Sequence, residues 1–131
     1  MASAQENAAT IRRGYELFNS GNLEELRQLF AEDVVWHGAG RGRFGGEKRG
    51  RDATFAYFGQ LGELTGGAFR AELHDILAND EHVVGIHAST ARRAGKTLNL
   101  KEVLVFHLRD GKVVEAWEHV EDSQTWDEFF A

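Results

Sequence analysis

At 131 residues the chain has length for one domain, since two would each have too little core. Hydrophobic residues at 42% and charged residues at 27% are a globular composition, and 21 acidic against 15 basic side chains (net −6) argue against an overall electrostatic grip on nucleic acid or an anionic membrane. The absence of cysteine excludes disulfides, thiolate–zinc sites and cysteine nucleophiles.

Residues 1–7 show neither a basic n-region nor an apolar h-region, and no apolar run approaches membrane-spanning length, so a soluble, cytoplasmic chain is expected. Ala8, Ile11, Tyr15 and Phe18 then form one helical stripe, with Ser3 and Glu6 as its capping box and Gly21 as its stop. Asn22 and Glu25 open a second helix whose Leu23, Leu26, Leu29 and Phe30 face inward, and residues 34–37 form a short strand. A loop from Gly38 to Gly50 holds six glycines and four basic residues. A third helix buries Phe55, Phe58 and Leu61 or Leu64 and ends at Gly66-Gly67. The second half reads as a meander of strands over 69–78, 83–93, 96–109 and 112–120, turning at Ala94-Gly95 and at Asp110-Gly111. A last short helix from Ser123 buries Trp126, Phe129 and Phe130. Helices first and an antiparallel sheet afterwards make an α+β domain.

Gly40-Arg41-Gly42-Arg43-Phe44-Gly45 matches G-x-G-x-x-G, but a dinucleotide fingerprint opens a helix inside a parallel βαβ unit, and hairpins follow here. The segment therefore reads as a mobile, solvated loop. Its functional variant is a flap with Arg41, Arg43, Lys48 or Arg49 meeting an anionic substrate.

The strand over 96–109 alternates cleanly, with Leu98, Leu100, Leu104, Phe106 and Leu108 on one face and Asn99, Lys101, Val103, Val105, His107 and Arg109 on the other. Glu102 interrupts the apolar face, which is expensive unless the carboxylate is paired, hydrogen-bonded or protonated. A two-residue turn at Asp110-Gly111 sets Glu102 opposite His119 and Leu104 opposite Trp117; one at Ala94-Gly95 sets Glu102 opposite His87. Opposed side chains lie about 5 Å apart at Cβ. The expectation is a row His87–Glu102–His119 on an apolar face, which a single bulge would break by turning a partner away. Such a row is a self-satisfied buried patch, an acid–base site, or a two-histidine-one-carboxylate metal site. Three opposed strand positions form a line rather than a facial cap, so neither metal nor cofactor is expected. His74, His82 and His107 read as surface or turn residues.

The element order resembles the NTF2-like cone fold, and residues 19–33 resemble that superfamily's N-terminal signature. Gly50-Arg51-Asp52 and residues 105–118 resemble its SnoaL-like and ketosteroid-isomerase-like branch, whose fold hosts many reactions. In the carry-over from ketosteroid isomerases, the general-base aspartate falls on Gly38 beside His37, the oxyanion tyrosine on Gly14 beside Tyr15, and the protonated aspartate at about Leu104. Against limonene epoxide hydrolases, two pocket aspartates fall on His87 and His119 and the intervening arginine on Gly85.

The combined expectation is an apolar pocket that performs acid–base chemistry on a small hydrophobic molecule, of the SnoaL-like cyclase or isomerase type. His119 is the expected acid or base, Glu102 orients it, and His87 supplies a second proton. Trp36, Leu104, Phe106 and Trp117 shape the pocket, with His37 at its mouth. The alternatives are epoxide hydrolysis and a non-catalytic binding or dimerisation module. The resemblance also implies a homodimer, formed through the face bearing Lys101, Val103, Val105 and His107.

Overall fold

The computed structural model describes residues 2–131. The Ser3–Glu6 capping box is present in both directions and opens α1 (Ala4–Asn19). Gly21, at φ 76°, ends the turn after it. Asn22 caps α2 by accepting from the Glu25 amide, but α2 is a single turn, Leu23–Arg27. Phe30 does not continue it. Instead it starts a nine-residue strand, β1 (Phe30–Gly38), because the Leu29 carbonyl accepts from the Val113 amide and the Phe30 ring packs on Phe55 at 5.2 Å. Tertiary pairing thus overrides the helical spacing of the leucines.

The glycine-rich segment is also more ordered than a solvated loop. Its last part is β2 (Gly46–Arg49), paired antiparallel with β1, and α3 (Arg51–Leu64) follows directly. Then come β3 (Arg70–Ala78), β4 (His82–Arg93), β5 (Lys96–Arg109), β6 (Lys112–Val120) and α4 (Ser123–Phe129). Both hairpin turns have two residues with positive φ, Ala94-Gly95 and Asp110-Gly111, which matches the right-handed strand twist.

The six strands form one sheet in the order β2-β1-β6-β5-β4-β3, antiparallel throughout except for the β1–β6 pair. α1 packs on β3 and β4, α3 on β1 and β2, and α4 on β5. Between helices and sheet lies an aromatic core in which Trp36 and Phe58 meet edge-on at 4.9 Å. No helix is long and apolar enough to cross a membrane among the described residues.

Candidate active site

Two registers decide which side chains meet under the helices. The β4–β5 hairpin pairs without interruption from Arg93↔Lys96 to His82↔His107, so His87 stands opposite Glu102 as the turn arithmetic requires. The β5–β6 hairpin begins as expected, with Arg109↔Lys112 and Leu108↔Val113, and then shifts: His107 pairs with Glu115, leaving Val114 as an extra residue. This bulge reverses the facing of everything beyond it. Glu118, opposite Leu104, takes the inner position, while His119, opposite Val103, is exposed on the outer face. Trp117 also turns outward, where its ring stacks on His37 at 5.5 Å, and His37 bonds Glu115 at 2.6 Å. His119, Trp117 and His37 are therefore not pocket residues. The alternatives that needed His119 inside, a two-histidine-one-carboxylate metal set and the epoxide-opening pair, are not assembled.

Trp36, Leu104 and Phe106 do line the inner cavity, with His87 and Glu102. It measures about 70 Å³, several times the roughly 10–15 Å³ that one water needs. Its walls are apolar apart from one connected polar group. Tyr15, on α1, holds Nδ1 of His87 at 2.7 Å, and Nε2 of His87 lies 3.2 Å from both Glu102 and Ser89. Ser89 donates to Glu102 at 2.6 Å. Beside them, one oxygen of Glu118 accepts from the Trp36 indole and the Tyr57 phenol, each at 2.6 Å. Glu102 and Glu118 line the same cavity, near enough for each carboxyl to perturb the titration of the other.

Burial sets the protonation states. Glu102 is 3% exposed and its pKa is raised by desolvation, against the opposing hydrogen bonds from Glu118 and Ser89. Glu118 is pushed well above the ordinary carboxylate range by desolvation and then by the charge of Glu102. Of the two, Glu118 is the more strongly raised, so it is the carboxyl that keeps a proton to the higher pH. Desolvation pushes His87 down to about 4, so its contact with Glu102 is a hydrogen bond of a neutral imidazole. With Tyr15 donating to Nδ1, the proton of that imidazole sits on Nε2, facing Glu102. Burial raises both tyrosines, so the phenols remain donors.

Tyr57, Ser89 and Glu118 carry no site role in the sequence reading, and Tyr15 enters it only as a stripe residue and as the neighbour of Gly14, on which the resemblance places the oxyanion tyrosine. Tyr15 reads as a core stripe residue, yet Gly85 of β4 marks its place: a β-carbon there would collide with the Tyr15 hydroxyl. The position onto which the resemblance carried an arginine is thus bare so that a phenol can reach His87. For Glu118 the sequence holds no comparable sign, because nothing in Val113-Val114 announces the bulge.

The G-x-G-x-x-G segment is fastened rather than free. The Asp127 carboxylate of α4 accepts from the amides of Arg41 and Gly42 at 3.0 and 3.1 Å, filling the anion-binding nest that the motif's backbone makes. Lys48 turns inward, donates to the carbonyls of Phe44 and Gly46, and lies 4.8 Å over the Tyr57 ring. Phe44 is buried against Tyr57 and Phe130.

A family described as "SnoaL-like domain" matches residues 11–116. The uncharacterized protein Rv0034 of Mycobacterium tuberculosis (strain ATCC 25618 / H37Rv) is 31% identical over 122 residues, covering 92% of this chain and 93% of its own. Among solved structures, Bal32a from a soil-derived mobile gene cassette is 46% identical with a TM-score of 0.95, over 98% of each chain. IdmH, a candidate polyketide cyclase of Streptomyces antibioticus, is 23% identical with a TM-score of 0.74, over 95% of this chain and 99% of its own. The chain belongs to the SnoaL-like family and has its NTF2-like α+β fold.

Proposed function

We propose that the cavity binds a small, largely apolar carbonyl compound and moves protons on it, as a cyclase or isomerase does. The observation that supports this reading is the Glu102–Glu118 pair, two carboxyls lining one apolar cavity and both raised by desolvation. The raised pKa makes Glu102 a stronger base than a solvated carboxylate. It takes a proton from the carbon next to the carbonyl, while Glu118 gives its proton to the oxygen on which charge develops. Trp36 and Tyr57 hold Glu118 in place from the side away from that transfer. Returning a proton at another carbon isomerises the substrate; attack of the enol carbon on a second carbonyl of the same molecule closes a ring. IdmH, a candidate polyketide cyclase of the same fold, fits this class of chemistry.

The test is deuterium exchange at carbon in a panel of 1,3-dicarbonyl compounds, followed by NMR. Wild type should accelerate exchange, and Glu102→Gln or Glu118→Gln should each slow it about 100-fold or more. Equal rates in wild type and both variants would sink the catalytic reading. They would favour a non-catalytic binding module, to which the fully hydrogen-bonded, neutral His87 also lends itself.

The same reading takes the protein as a homodimer through the outer sheet face, where Val103, Val105 and Trp117 are half-buried. Light scattering at micromolar concentration should give twice the chain mass; a monomer would remove this part.

A further inference from the structure

A second hollow lies outside the cavity, between the end of α1, the start of β3 and the middle of α3. At about 250 Å³ it is larger than the cavity itself. Phe18, Phe58 and Phe69 line both spaces, so these three rings are the partition between them. Phe18 is half-buried and meets the other two only edge-on, at 5.5 and 6.0 Å.

Gly59, which is exposed, and half-buried Gly62, both in the interior of α3, line one wall of the hollow. Glycine is the poorest helix former after proline, and it is usually retained for a positive φ or a close neighbour. Neither reason holds here: both residues have ordinary helical backbone, and a β-carbon on either would meet nothing within 4 Å. The protein's own packing leaves that space open. One charged residue lines the hollow, the exposed Arg70, one guanidinium nitrogen of which donates to the carbonyls of Gly67 and Phe69 at 2.7 and 2.8 Å.

We infer that this hollow is the entrance to the cavity and the binding site for the tail of its ligand, an elongated, mainly apolar molecule with an acidic group that reaches Arg70. The inference rests on the cavity being the ligand site, and it extends that reading to a substrate class larger than the cavity alone admits.

The test uses two dyes of the same aromatic frame, anilinonaphthalene sulfonate and the uncharged N-phenyl-naphthylamine, and fluorescence titration of wild type, Gly59→Leu and Arg70→Gln. Gly59→Leu fills the hollow and should weaken both dyes about tenfold or more. Leucine is the better helix former, so the variant should melt no lower than wild type. Should it not fold, Gly62→Leu, one turn along on the same wall, replaces it. Arg70→Gln should weaken only the sulfonate, by about threefold as for an exposed ion pair, and less at high salt. Wild type that binds neither dye, a filled hollow that binds both as before, or an Arg70→Gln that treats the two dyes alike each overturns the inference. Dye binding needs no proton transfer, so Glu102→Gln and Glu118→Gln separate failure of the catalytic reading from failure of this one.

Discussion

Glu118 shares the inner cavity with Glu102 because Val114 bulges from β6, and burial raises the pKa of both carboxyls. A folded-state pKa raised above the free value means that the native state keeps a proton the unfolded chain has lost. The stability this contributes is fully present below about pH 4.5 and is lost as pH rises through the folded pKa. Glu118→Gln should flatten this decline in urea melts across pH. In infrared spectra at neutral pH, the carbonyl band of a protonated carboxyl should be present in wild type and absent in the variant.

His87 produces a slope of opposite sign. Its pKa falls from 6.5 to about 4 on folding, so between those values the unfolded chain binds a proton that the native state refuses. Stability from this group is complete above pH 6.5 and is lost as pH falls toward 4, by about 3 kcal/mol at most. The difference between wild type and His87→Gln, measured by denaturant melts from pH 4 to 7, should shrink as the pH is lowered. A constant difference would mean that the imidazole is not desolvated.

His119→Ala, on the outer face, should leave carbon-proton exchange unchanged and stability within about 0.5 kcal/mol. Deleting Val114 leaves Val113 opposite Leu108 and Glu115 opposite His107, so the ladder becomes regular and Glu118 should keep its inner place. Carbon-proton exchange should persist in this variant. Its loss would show that the bulge itself, and not only the register it sets, holds Glu118 in position.

Asp127→Ala removes the carboxylate from the nest at Arg41 and Gly42. Amide hydrogen exchange at those two residues should accelerate, with a stability loss of about 1–2 kcal/mol. Unchanged protection would mean that Phe44 packing alone holds the segment.

Helix caps, turn chemistry and the alternation of β5 were legible because each is local: Ser3 with Glu6, Asp110-Gly111, and the run from Leu98 to Leu108 need no distant partner to take their conformation. The His87–Glu102 pairing was legible for the same reason, since a two-residue turn dictates the register of the strands it joins. Three features were not. The Glu118 position depends on one extra residue in a ladder, and with side chains alternating at period two that residue exchanges inside for outside. β1 starts at Phe30 only because β6 lies beside it, a parallel contact more than eighty residues away in the chain. Tyr15 becomes a pocket group because Gly85, on another element, leaves room for its ring. Local propensity and turn geometry act within a few residues and can be read along the chain; which carboxyl is desolvated beside which depends on packing between strands, and that is settled when the sheet closes under the helices.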